Sequence, residues 1–195
     1  PNENLAREFF ELFSLGEGNY SENDIKNFSR FLSAYGINYV SEKFQYYNSK
    51  KSSGKFSAFG KEYKTLDQFL NILKNHPAFG EFIAKKFYNE YVELGSPSKK
   101  DLAFLVATFR NSDFKISSLL KATLSLEKFW SKENKLSLVK SPIDLMYGIA
   151  RTLNYAGRWR DNHKGLIIMS KLLGQDLFNP PNIAGWPTGK EWISG

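Results

Sequence analysis

Residues 65–92 read TLDQFLNILKNHPAFGEFIAKKFYNEYV, and this stretch decides the fold class. Leu66, Phe69, Leu70 and Leu73 recur at the three- and four-residue spacing that lines up side chains on one face of a helix. Thr65 and Gln68 have the spacing of a capping box, so the helix starts there and ends near Asn75. Pro77 suits the first turn of a new helix, whose Phe79, Phe82, Ile83, Phe87 and Val92 stripe runs to Gly95.

The same signals extend in both directions. Downstream, Ser98 precedes a helix with Leu102, Leu105, Val106 and Phe109, and Asp113 precedes one with Ile116, Leu119, Leu120 and Leu124. Ser141-Pro142 opens another with Ile143, Met146, Tyr147, Ala150 and Leu153, and a last helix runs from about Lys164 to Leu173, where Gly174 stops it. Upstream, Leu5, Phe9, Leu12 and Phe13 mark a helix over about 3–15, and Ser21 with Asp24 starts a second that runs to Gly36. Between them and Thr65 the period changes to two. Val40, Phe44 and Tyr46 alternate with Tyr39, Ser41, Lys43, Gln45 and Tyr47 before the polar 48–54 turn, which predicts one small β-hairpin near residues 39–59. The expectation is a mainly α, roughly eight-helix orthogonal bundle, residues 1–195 forming a single helical domain.

The composition fits such a fold. A chain of 195 residues folded as one unit hides roughly 70% of its unfolded surface, and 17 Phe, 10 Tyr and 4 Trp supply a heavily aromatic core. No apolar run reaches the roughly 18 residues of a membrane span, so no transmembrane segment is expected. The net charge is +7, yet residues 1–30 hold six acids against three bases, and the lysines downstream are scattered. No helix-turn-helix, zinc-finger or RNA-recognition pattern occurs, and no specific nucleic-acid partner is expected.

Catalytic constellations are sparse. Cysteine is absent, which removes disulfides, thiolate ligands and thiol nucleophiles together. Of the two histidines, His76 precedes Pro77 at a helix boundary and His163 follows the charged run Arg158-Trp159-Arg160-Asp161-Asn162, so neither a metal nor a cofactor is expected. No Walker, GxSxG, GxGxxG or HExxH string is present.

The candidate site residues lie towards the two ends. Glu3, Arg7 and Glu11 form an i, i+4, i+8 series with Glu8 beside them. Two readings stand: a solvated ion-pair ladder, or an Arg7 held by carboxylates beneath a pocket, where its planar guanidinium orients backbone or a ligand anion. Residues 174–187 concentrate prolines, glycines and aromatics. There Asn182, Gly185 and Trp186 either plug the core or form a pocket wall with Trp186 as a stacking surface. The pocket reading joins the two segments through Glu3, Arg7, Glu8, Glu11, Asn182, Gly185 and Trp186. Arg158-Trp159-Arg160 offers a further anion site or a solvated cation–π contact.

These segments also carry a resemblance. The opening Pro1-Asn2-Glu3-Asn4-Leu5-Ala6-Arg7-Glu8-Phe9-Phe10-Glu11-Leu12-Phe13 through Gly16, Gly18 and Tyr20 resembles the PNENxARExxELFxLGxGxY signature of domain-of-unknown-function family 1800, a bacterial group. Leu173-Gly174-Gln175, then Pro180 to Pro187 and Trp192-Ile193, is similar to that family's closing motif, with His76-Pro77, Phe82-Ile83-Ala84 and Ser141-Pro142 in order between them. The resemblance implies the C-terminal portion of a longer protein whose N-terminal helical half is absent. It implies no established reaction. Export signals on many members suggest a periplasmic or secreted location, and frequent gene neighbourhood suggests, as a partner, a second protein encoded alongside and resembling sulfatases. Members usually carry a His-Asp pair before a Gly-Lys turn, whereas this chain has Lys50-Lys51 upstream of Gly54-Lys55. Two functions follow: a non-catalytic structural or partner-binding domain of an exported protein, or a hydrolase-like or ligand-binding site between the first helix and the Pro180–Trp186 loop.

Overall fold

A computed structural model describes residues 2–153 and 163–193, with the backbone alone described at His163. The chain is mainly α: nine helices and two small antiparallel hairpins occur among the described residues. It forms two compact units, one of Pro1–Tyr88 with Ser96–Ser125, the other of Asn89–Gly95 with Leu126–Gly195.

The first unit holds α1 (Asn2–Glu11), α2 (Glu22–Leu32), β1 (Tyr35–Asn38), β2 (Lys43–Tyr46), β3 (Phe56–Ala58), β4 (Lys61–Tyr63), α3 (Leu66–Lys74), most of α4 (Pro77–Tyr91), α5 (Lys99–Asn111) and α6 (Ile116–Leu124). Its core is aromatic. Phe28 stacks on Phe69 at 4.0 Å, and both rings, with Phe10, Phe31 and Tyr63, are shut off from solvent. Burying each such ring is worth about 2–3 kcal/mol in transfer free energy, so this cluster is the main source of stability here. Ser21 and Thr65 accept hydrogen bonds from the N–H groups of Asp24 and Gln68, the caps that the spacing predicts.

Three features depart from the sequence reading. The single hairpin near 39–59 is two: β1 pairs with β2 in the register Tyr35↔Tyr46, and β3 with β4 in the register Phe56↔Tyr63. The second helix accordingly ends at Leu32, because the chain must extend from Tyr35 to pair. The buried faces of α1 and α4 are also rotated from the predicted stripes. α1 buries Ala6 and Phe10, while Leu5 and Phe13 are exposed, and α4 buries Gly80, Ala84 and Tyr88 at i, i+4, i+8. Small residues sit where side chains of α5 press against α4: a Cβ on Gly80 would lie 3.2 Å from Arg110 Nε and 3.3 Å from Val106 Cγ1. Finally, Asp113 does not cap α6. It has a left-handed backbone (φ 52°), and Lys115 precedes the helix without a side-chain cap.

The second unit holds α7 (Glu127–Trp130), a short helix absent from the sequence reading, together with α8 (Pro142–Thr152) and α9 (His163–Leu172). Ser141 caps α8 through Asp144 N–H with Pro142 at the first turn, as the Ser-Pro pair predicts. Gln175 completes that end: its Oε1 accepts from Ile143 N–H at 2.9 Å. A 3-10 turn over Gly189–Trp192 closes the unit, opened by a capping box between Thr188 and Glu191.

Candidate functional site

Each predicted site residue is placed within its own unit. On α1, Arg7 does not join a ladder confined to its own helix. Its Nη1 and Nη2 donate to Glu22 Oε1 and Oε2 at 2.8 and 2.9 Å, a bidentate fork, while Glu3 stands 4.0 Å away. Glu22 opens α2 directly after the Ser21 cap, so the pair ties α1 to the first turn of its neighbour. The guanidinium holds the Glu22 carboxyl below its ordinary range. Glu11 turns instead to Tyr20, whose hydroxyl donates to Oε2 at 2.8 Å. Burial, and then that carboxylate, push the Tyr20 phenol up to about 12. Glu8 is half-buried on α1, and Glu3 is exposed. The donors of Arg7 that face Glu22 are therefore committed within the protein, which favours a clamp between helices over an anion site.

The most constrained polar cluster of the first unit was not anticipated as one. Buried Asp24 accepts from Ser21 N–H at 2.9 Å and from Ser21 Oγ at 2.6 Å, and its Oδ1 reaches Phe59 N–H at 2.8 Å. Phe59 and Gly60 form the two-residue β3–β4 turn, with φ of 52° and 76°. A bulky residue rarely adopts that backbone. Here the carboxylate holds the amide while the ring packs against Phe10 and His76. His76 Nδ1 accepts from Ala78 N–H, its carbonyl accepts from Arg110 Nη2 at 2.9 Å, and burial holds its pKa below the usual histidine value. The Tyr63 hydroxyl is buried with no hydrogen-bond partner, and burial raises its pKa. The predicted capping box pointed to Asp24, but no local pattern reveals a bond to a residue 35 positions away.

In the second unit, Asn182, Gly185 and Trp186 do come together. Asn182 Oδ1 accepts from Ala184 N–H at 2.8 Å and its carbonyl accepts from Gly185 N–H, a tight turn that Gly185 enters with φ 105°. With Pro181, Ala184, Pro187 and Glu191 these residues line a concavity of about 220 Å³. The Trp186 indole Nε1 is buried there with no partner. Gly189, which opens the 3-10 turn, has a left-handed backbone (φ 57°) that favours glycine, and a Cβ there would displace the end of the Leu94 side chain. A second concavity, about 300 Å³, lies in the first unit beside Gly16, Phe82 and the Glu81–Lys85 ion pair. The Arg158–Asn162 run and the His163 side chain lie outside the described residues.

With both ends described, the family can be stated. The model of the family described as "Protein of unknown function (DUF1800)" matches residues 1–195. The chain belongs to that family. The match covers the whole chain and does not bear out the expectation that it is the C-terminal portion of a member. No curated protein and no solved structure matches it. In this member of DUF1800, then, the opening signature segment carries Arg7 of an interhelix clamp, and the closing one forms the Asn182–Trp186 turn that precedes a capped 3-10 turn.

Proposed function

We propose that the chain is a non-catalytic, partner-binding part of an exported bacterial protein. One observation carries this reading: α8 and α9, which pack on each other, leave most of their large aliphatic side chains in solvent. On α8, Leu145 and Ile149, with Leu153 just past its end, follow at four-residue intervals and are exposed, whereas Ile143, Met146 and Tyr147 are half-buried. On α9 the buried positions are Leu166 and Ser170, whereas Ile167, Ile168, Met169 and Leu172 are exposed, Leu172 to 74%. Stripes of this kind on a water-facing helix mark an interaction surface. Arg151 and Lys164 stand on the same helices, Lys171 being paired with Asp176, so the fitting partner is a protein with an aliphatic face rimmed by carboxylates. The protein encoded alongside is the first to test. Export rests on the resemblance of both signature segments to a bacterial family whose members often carry export signals.

Calorimetry of the chain with that neighbouring protein tests the reading. A saturable interaction that Leu145→Asp and Leu172→Asp each weaken at least tenfold, with unchanged melting temperatures, is expected. Absence of binding, or binding indifferent to both substitutions, contradicts it.

A second reading has its own observation. The unpartnered Trp186 indole N–H beside Asn182 and Glu191 supports a small-ligand site in the closing loop. Ligand-induced change in Trp186 fluorescence, lost in Trp186→Phe, is its test.

A further inference from the structure

The first unit carries a separate apolar surface. In the register Tyr35↔Tyr46 and Ile37↔Phe44, directly opposed residues lie on one face of the β1–β2 hairpin, so Tyr35, Ile37, Phe44 and Tyr46 form one side, and Gly36, Asn38, Lys43 and Gln45 the other. The apolar side faces water: Ile37, Phe44 and Tyr46 are all exposed. Beyond the strands, Tyr39 and Val40 at the tip are 90% and 97% exposed. The tip is nonetheless built, because Asn38 Oδ1 accepts from both Val40 N–H and Ser41 N–H, at 3.0 and 3.1 Å. Packing within the unit explains Tyr35, which touches Phe31, Phe44 and Tyr46, but leaves Ile37, Tyr39 and Val40 in solvent.

Charge indicates what covers them. Over residues 35–54 three lysines, Lys43, Lys50 and Lys51, oppose the single acid Glu42. Lys43 follows the tip directly, Lys50 and Lys51 lie at the base of the hairpin, and an exposed apolar tip on a segment of net positive charge fits a deformable anionic surface better than a preformed protein groove. Tyrosine rings favour the boundary between hydrocarbon and water, and lysines near an anionic leaflet add attraction. A base-stacking platform is less suited, since Tyr35 already stacks on Phe44 at 5.5 Å and meets Tyr46 edge-on.

We propose that the β1–β2 hairpin docks the protein on anionic lipid bilayers, seating Tyr39, Val40 and the Ile37/Phe44 face among the headgroups. The test is co-sedimentation of the 195-residue chain with phosphatidylcholine vesicles containing or lacking phosphatidylglycerol, at low and high salt. Binding should require the anionic lipid and fall with salt. Lys43→Glu should weaken it roughly fivefold or more and Val40→Asp about tenfold, while Leu172→Asp leaves it unchanged. Both hairpin positions are exposed, so melting temperatures should match the parent. Equal binding to both vesicle types, no binding, or indifference to the tip substitutions overturns the proposal. So does tighter binding to a single-stranded oligonucleotide than to the vesicles, or tip-dependent dimerisation without lipid binding. Because Leu172→Asp serves as control, failure here is distinguishable from failure of the α8–α9 surface.

Discussion

The two units use similar residue types in opposite ways. Of the 21 buried hydrophobic residues among those described, only Val92, Leu126 and Leu166 belong to the second unit. In the first unit, large rings on α1, α2 and α3 converge on one cluster, and the hairpin β3–β4 adds Phe56 and Tyr63 to it. In the second, Leu and Ile on α8 and α9 point into water. Burial of apolar area is the dominant favourable contribution to folding. The second unit leaves much of its apolar area unburied, and that difference from the first unit is the observation on which the partner-binding proposal rests.

The largest effect should come from the scaffold. Phe28→Ala removes a ring stacked at 4.0 Å on Phe69 and should cost about 3–5 kcal/mol in denaturant melts, whereas Ile168→Ala on α9 should stay within about 0.5 kcal/mol. Comparable losses at both positions would erase the contrast between the units. Next in size is Asp24→Ala, which removes a helix cap and the acceptor for the strained Phe59 amide, with an expected loss of about 2–4 kcal/mol. Hydrogen exchange at Phe59 should speed up in that variant. If exchange is unaltered, Asp24 is only a cap.

Tyr63→Phe sharpens the account in the opposite direction. It deletes a buried hydroxyl that has no partner, so the variant should be as stable as the parent or up to about 1 kcal/mol more stable. A clear loss would mean that the hydroxyl is satisfied by a bound water.

The smallest effects are electrostatic. The carboxyls of Glu22 and Asp176 are held low by Arg7 and Lys171, and His76 is held low by burial. For all three the folded state binds protons less readily than the unfolded one. Their contribution is present above the ordinary values and fades as pH falls, first below about 6.5 for His76 and then below about 4.5 for Glu22. Tyr20 works in the other direction. Its phenol stays protonated in the fold up to about 12, so it loses stability between about pH 10 and 12, and Tyr20→Phe should flatten part of that alkaline decline in thermal melts.

Much of the fold is legible in the sequence because capping and periodicity are local. Ser21, Thr65, Ser98 and Ser141 all cap as their spacing implies. The rotated faces of α1 and α4 were not legible, since large side chains draw the predicted stripe towards Phe9 and Phe82 while the buried positions include the small Ala6, Gly80 and Ala84. The second hairpin hides in a run with no alternation long enough to mark it, its turn depending on a distant carboxylate. For the candidate site, the Asn182–Trp186 turn follows from its Asn, Gly and Pro. Arg7 finds its partner across a 15-residue gap, which an i, i+4 argument cannot reach.

Carbene footprinting of the chain, alone and with the neighbouring protein, tests the central contrast most directly. In the free chain Leu145, Ile149, Ile168 and Leu172 should label strongly while Phe10, Phe28 and Phe69 stay unlabelled, and the partner should protect the first set alone. Weak labelling of α8 and α9 in the free chain, or labelling unchanged by the partner, would contradict the account.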